Sequence, residues 1–220
     1  MKLESVKNKL PEKFYSVLEK EIKEFRPSQE KSIKKGLLER KSLLVCTPTA
    51  SGKTMIAELA MIKGILEGHG KAVYIVPLKA LATEKYRDFK RKYSHLMKIA
   101  LSIGDIDSSD PYLAEYDLIV STSEKLDSLI RHHTPWLAKI GTVVVDEIHL
   151  MNDTSRGPTL EILLTILKQI VKKAQIIGLS ATIGNAPELA EWLQADLVVD
   201  EWRPVKLHKG IYLDGEIEFY

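Results

Sequence analysis

Short aliphatic runs, several without polar alternation, recur along this chain, and most are followed by a stretch with helical spacing. No other feature restricts the fold as much. Segments 42–46, 71–76, 99–103, 117–120, 142–145, 175–179 and 197–199 read as strands. Continuous Val/Ile/Leu runs mean burial on both faces, as in a parallel sheet covered by helices. Segments 53–66, 78–93, 123–131, 159–171 and 187–193 read as helices. Two more precede them. Phe14, Val17, Leu18 and Ile22 form one stripe over 11–24, and Arg26-Pro27-Ser28-Gln29 opens a helix carrying Ile33, Leu37 and Leu38, with Pro27 suited to its first turn. Strand–helix alternation repeated this often predicts an α/β fold, a mostly parallel doubly wound sheet with helices on both faces. Right-handed crossovers then gather the C-terminal loops of the strands on one edge, where ligands bind.

The chain has 220 residues, 45% of them hydrophobic, enough for a substantial core without metals or disulfides. Cys46 is the single cysteine, which excludes an intramolecular disulfide, and its apolar setting predicts a buried, inert thiol. The opening MKLESVKNKLPEKF is not a secretory leader, and no apolar run has the length of a membrane span. These features predict an intracellular chain with no membrane partner. The net charge of +2, from 32 Lys and Arg against 30 Asp and Glu, gives no bulk attraction to nucleic acid, so any phosphate-binding surface must be local.

The strongest local signal is Thr47-Pro48-Thr49-Ala50-Ser51-Gly52-Lys53-Thr54, set between a strand and a helix as a phosphate-binding loop requires. Backbone N–H groups at such a loop and helix start attract an anion. Small residues at Thr49, Ala50 and Ser51 permit a tight turn, and Gly52 allows close backbone approach. Lys53 reaches the β and γ phosphates, and Thr54 offers a hydroxyl to Mg²⁺. Thr47 stands where the general pattern has glycine.

The second signal is Val143-Val144-Val145-Asp146-Glu147-Ile148-His149, an apolar strand ending in two carboxylates. Acids beside a core are costly unless a cation compensates. Asp146 is the natural Mg²⁺ ligand, and Glu147 the natural base or water-positioner for attack on a γ-phosphate. His149 beside them suits a coupling role, since no Cys/His cluster of zinc-like spacing occurs elsewhere.

Together these segments resemble the superfamily 2 DExH-box helicases. Asp146-Glu147-Ile148-His149 resembles their DExH box, Ser180-Ala181-Thr182 motif III, Pro77-Leu78-Lys79-Ala80-Leu81 motif Ia, Ser121-Thr122-Ser123-Glu124-Lys125 motif Ib, and Arg26-Pro27-Ser28-Gln29 the Q motif, all in the family's order. Trp202-Arg203-Pro204-Val205 and the segments around the phosphate loop and motif III are similar to the Ski-two-like branch, and within it to the archaeal Hjm-type DNA helicases. The resemblance covers about residues 20–212. It implies the first RecA-like lobe of an ATP-dependent motor, using ATP and Mg²⁺, with a helical extension over 1–24, the lobe over 25–200, and a closing strand or linker over 201–220 toward an absent second lobe. It further implies adenine recognition by Gln29, coupling by His149, Ser180 and Thr182, and nucleic-acid contacts from Pro77, Lys79, Thr122, Ser123 and Lys125. Family members move 3′ to 5′ on single-stranded DNA at forks or branched DNA, which implies DNA as partner, a cytoplasmic, nucleoid-associated placement and a monomeric lobe. An arginine from the second lobe is worth about 10³–10⁵ in turnover in related enzymes. The isolated chain is therefore expected to bind nucleotide weakly and hydrolyse it slowly.

Weaker signals have ordinary readings beside them. The basic, aromatic stretch 85–93 could serve phosphate contact and base stacking, and suits better a solvated helix face with Tyr86 and Phe89 packed beneath. The acidic turn 104–110 lacks a full calcium-ligand set, and Ser108 and Ser109 in it are possible phosphate contacts. Arg131-His132-His133 suits a helix C-terminus. Trp136, Trp192 and Trp202 are expected to pack. The motifs alone do not separate DNA from RNA. A nucleotide-gated interaction module without motor activity is the reading from another class, and a P-loop kinase would leave Ser180-Ala181-Thr182 unexplained.

Overall fold

A computed structural model of the chain describes residues 1–104, 110–205, 208 and 210–219. Seven strands make one sheet: β1 (Leu43–Cys46), β2 (Lys71–Val76), β3 (Ile99–Ser102), β4 (Leu118–Thr122), β5 (Ile140–Val145), β6 (Gln175–Ser180) and β7 (Asp196–Val199). Their order is β3-β4-β2-β5-β6-β1-β7, and every pairing is parallel. Strands β1, β4, β5 and β6 are buried along their whole length, which is why their sequences do not alternate. This is a RecA-like α/β fold.

The helices are α1 (Glu12–Glu21), α2 (Pro27–Lys34), α3 (Lys53–Leu66), α4 (Lys79–Tyr93), α5 (Ser123–Arg131), α6 (Gly157–Ile170) and α7 (Ala186–Leu193). Helices α1–α4 cover one face through Phe14, Leu18, Ile33, Ile56, Leu59 and Phe89, among others. Helices α5–α7 cover the other through residues such as Leu126, Leu129, Leu163, Leu167 and Leu193. Helix α3 is apolar almost all round and accordingly buried, the expected fate of such a helix.

Register fixes the site. Cys46 pairs with Ser180, Ile75 with Val145, and Val76 with Thr122, so the segments after β1, β2, β4, β5 and β6 emerge side by side on the C-terminal edge. Crossover connections demand this geometry.

Three findings modify the sequence reading. Residues 1–24 pack on the lobe: Leu3, Val6, Leu10, Phe14 and Leu18 join the α3/α4 core, and the Leu3 N–H donates to the Lys23 carbonyl at 2.9 Å. Among the described residues the tail adds no strand to the main sheet: β8 (Gly210–Leu213) and β9 (Glu216–Phe219) form a separate, exposed antiparallel hairpin. Short 3-10 turns at Leu3–Lys9, Pro111–Glu115, Pro135–Lys139 and Ile148–Asn152 fill segments without a regular pattern. The segment 105–109, with Ser108 and Ser109, is outside the described residues.

Candidate functional site

The loop between β1 and α3 closes on itself. Thr47, fully buried, donates its N–H to the Ser180 carbonyl at 3.2 Å, and its hydroxyl is 2.7 Å from that of Ser51. Threonine in place of glycine thus acts as a cross-brace. Ala50 and Gly52 turn the chain through the left-handed region, at φ +64° and +95°. A Cβ on residue 52 would sit 2.5 Å from Gln29 Nε2, so only glycine fits without displacing that amide. Thr49 and Ala50 are exposed at the tip of the loop, and Thr54 is half-buried at the start of α3.

Lys53 is folded back over the loop, donating to the carbonyls of Thr47 at 2.9 Å and Pro48 at 3.3 Å. Burial lowers its pKa from the ordinary lysine value, and the charges of Glu147 and Asp146 oppose that shift. Gln29, 4% exposed, accepts the Arg26 N–H at 2.9 Å and donates to the Gly52 carbonyl at 3.0 Å. The Arg26 guanidinium donates to the Ala50 carbonyl at 2.7 Å and lies over the half-exposed Trp202 ring. The start of α2 therefore braces the loop from outside.

The chain leaves β5 with Asp146 buried and Glu147 in the left-handed region at φ +53°. Asp146 accepts the Tyr74 hydroxyl at 2.6 Å on one oxygen and the Glu147 N–H at 3.0 Å on the other. Glu147 is more open. His149 Nδ1 lies 3.3 Å from the Glu147 carboxylate and 3.4 Å from the Ala181 N–H. Unprotonated, Nδ1 accepts from Ala181; protonated, it donates to Glu147. The ring therefore links Glu147 and the segment after β6. Ser180 is fully buried, with a hydroxyl that finds no hydrogen-bond partner among the described residues, and Thr182 is exposed beyond it.

These residues fit a magnesium nucleotide. Thr54 and Asp146 are hard oxygen donors, Lys53 is a cation that feels the charges of Asp146 and Glu147, and Gly52 carries no Cβ where the loop turns into α3.

The expected nucleic-acid contacts divide. Pro77 and Lys79 follow β2, half-buried and exposed respectively. Thr122 and Ser123 are buried, and the Thr122 hydroxyl accepts the Lys125 N–H at 3.4 Å as the N-cap of α5. Lys125 departs from the expectation: it is 1% exposed and its ammonium is 2.9 Å from the Asp110 carboxylate. A lysine buried in an ion pair serves the fold and presents no charge to a strand. Arg131 and His132 bond within their own helix, to Asp127 and the Ser128 carbonyl at 2.8 Å each. Trp136 packs as expected, whereas Trp202 is 37% exposed.

Sequence reasoning missed Tyr74, Lys85 and Glu58. Tyr74 is a phenol in an otherwise aliphatic strand, and a buried phenol needs a partner. The Lys85 ammonium is 3.2 Å from the Thr54 hydroxyl. Glu58 is buried in α3, accepts the Tyr93 hydroxyl at 2.8 Å, and pairs with Lys92, which also holds Glu21 of α1.

A braced phosphate loop and a paired-acid turn on the C-terminal edge of a RecA-like sheet define a P-loop nucleotide-binding domain. The sequence model of the DEAD/DEAH box helicase family matches residues 26–190, and the chain belongs to that family. It is 57% identical over 205 residues to the ATP-dependent DNA helicase Hel308 of Methanocaldococcus jannaschii, covering 90% of this chain and 17% of that protein. It is 52% identical to Hel308 of Pyrococcus abyssi, over 93% of this chain and 28% of the relative, and 48% identical to that of Pyrococcus horikoshii, over 98% and 30%. The chain thus spans less than a third of each of these relatives. Among the described residues no helix is long and apolar enough to cross a membrane.

Proposed function

We propose that this chain is the ATP-binding first motor lobe of an ATP-dependent DNA helicase that moves 3′ to 5′ on single-stranded DNA at forks or branched DNA. The observation that carries the reading is the approach of Lys53, from the phosphate loop, to the charges of Glu147 and Asp146 after β5, with His149 touching both Glu147 and the Ser180-Ala181-Thr182 segment. Likeness to proteins named DNA helicases favours DNA over RNA.

In this reading the loop amides and Lys53 bind the phosphates, Gln29 and Arg26 hold the loop beside the base, and Thr54 and Asp146 hold the metal. Bound Mg²⁺ would neutralise charge on the phosphate oxygens. The Glu147 carboxylate orients a water and accepts its proton as the oxygen attacks the γ-phosphorus, while the bond from that phosphorus to the β,γ-bridging oxygen breaks and ADP leaves. His149 carries the state of that carboxylate to the Ala181 N–H, and Ser180 and Thr182 pass it to the strand. Pro77 and Lys79 supply backbone contacts, Thr122 and Ser123 shape the end of β4, and a second lobe completes the site.

The test is Mg²⁺-dependent ATP hydrolysis, with and without single-stranded DNA or RNA, by this chain, by its Glu147→Gln variant, and by a protein extended through a second lobe. DNA-dependent hydrolysis confined to the extended protein is expected. Brisk hydrolysis by the short chain, indifferent to nucleic acid, would point to a self-contained ATPase, and dependence on RNA alone would reassign the strand.

A further inference from the structure

Helix α4 reaches both residues assigned to the metal, Thr54 directly and Asp146 through Tyr74 of β2. From its second turn, Lys85 donates from Nζ to the Thr54 hydroxyl at 3.2 Å. One turn on, Phe89 meets the Tyr74 ring edge-on, with centroids 5.1 Å apart and planes at 75°. Both rings are fully buried, and the Tyr74 hydroxyl donates to Asp146 Oδ2 at 2.6 Å. The other Asp146 oxygen accepts the Glu147 N–H. Two donors at right positions fix the plane of a carboxylate, and one of them stands on a ring that α4 holds in place. Neither Tyr74 nor Lys85 belongs to the motifs that make the nucleotide site.

We propose that Tyr74 and Lys85 tune the magnesium site, Tyr74 positioning the Asp146 carboxylate for the metal and Lys85 competing with the metal for the Thr54 hydroxyl. The proposal rests on the reading of Thr54 and Asp146 as the magnesium ligands. The two residues act with opposite signs. The Tyr74 phenol is neutral: it orients the carboxylate and leaves its charge intact, so removing it frees the ligand to rotate. The Lys85 ammonium is a cation beside the ligand hydroxyl, so it opposes the arrival of another, and removing it relieves that repulsion.

The quantity that separates these roles from mere stability is the ratio of ADP affinity with saturating Mg²⁺ to ADP affinity in chelator. A fluorescent ADP titration reads it on this chain, and Mn²⁺ binding followed by electron paramagnetic resonance reads it again without relying on turnover. Tyr74→Phe is expected to lower the ratio by roughly tenfold, the loss of one hydrogen bond to a charged group. Lys85→Gln, at a half-exposed position, is expected to raise it about threefold. Asp146→Asn abolishes the dependence if the underlying assignment holds. A Tyr74→Phe ratio equal to wild type, beside a collapsed Asp146→Asn ratio, overturns the positioning role alone. Unchanged ratios in both Asp146→Asn and Thr54→Ala overturn the metal assignment and this proposal with it. Should Tyr74→Phe fail to fold, Lys85→Gln decides: a ratio that stays level or falls overturns the proposal.

Discussion

The segments after β1 and β4 leave the same sheet edge with similar small, polar sequences, yet they use those residues in different ways. In residues 47–54 the side chains of Thr47 and Ser51 brace each other, left-handed turns at Ala50 and Gly52 expose the backbone, and Lys53 rests on carbonyls it can leave. In residues 121–125 every polar side chain with a described partner is spent on the fold: Ser121 on the Ser102 carbonyl at 2.8 Å, Thr122 on the start of α5, Lys125 on Asp110. Residue type at a sheet edge does not make a ligand contact. What matters is whether the group retains a direction free of the fold.

The largest expected effect is catalytic. In a protein that carries both lobes, Glu147→Gln should reduce ATP turnover by roughly 10²–10⁴-fold while leaving ADP affinity within about twofold, measured by phosphate release and titration. Turnover that survives would remove Glu147 from the chemistry. Next, Lys125→Met should cost about 3 kcal/mol of folding stability in denaturant melts by breaking the buried ion pair with Asp110. Lys79→Met should leave stability within about 0.5 kcal/mol but flatten the salt dependence of single-stranded DNA affinity by about one logarithmic unit of slope. If Lys125 behaved like Lys79, the contrast between the two segments would break. Gly52→Ala should cost about 2 kcal/mol through its backbone conformation and displace the Gln29 amide, with loss of nucleotide binding in the same titration.

The smallest effect is a pH slope. Burial raises the Glu58 pKa above its ordinary 4.5, opposed by Lys92 and the Tyr93 hydroxyl. The folded state then binds more protons than the unfolded one, so this group's contribution is fully present below 4.5 and declines as pH rises through the raised value. Glu58→Gln should flatten that decline, seen as a smaller difference between denaturation midpoints at about pH 5 and about pH 8.

The parallel sheet and the nucleotide cleft were legible because their signals are local. Continuous aliphatic runs report burial on both faces, and Gly52-Lys53-Thr54 and Asp146-Glu147 carry their chemistry within a few residues. The helices over 53–66 and 123–131 match the expectation, whereas the stripe at 11–24 ends at Glu21, the helix expected to carry Leu37 and Leu38 ends at Lys34, and the β5 strand begins at Ile140, ahead of its β-branched core. What stayed illegible depends on partners distant in sequence. Lys125 meets an acid 15 positions earlier, Tyr74 an acid 72 positions later, and the apolar residues of 1–24 a core assembled from α3 and α4. Thr47 read as a defect in the phosphate pattern until its hydroxyl was found on Ser51.

The grip of Lys53 on the Thr47 and Pro48 carbonyls bears on how a nucleotide leaves. A loop that houses its own cation is never empty: phosphate takes the ammonium from the carbonyls on arrival, and the carbonyls reclaim it on departure. Binding and release are then displacement reactions with an internal competitor. The free energy of the lysine–phosphate contact is the difference between two good contacts, so a full ion pair never has to be torn from the site unaided. A tightly built loop can in this way let go of a phosphate group that it holds closely.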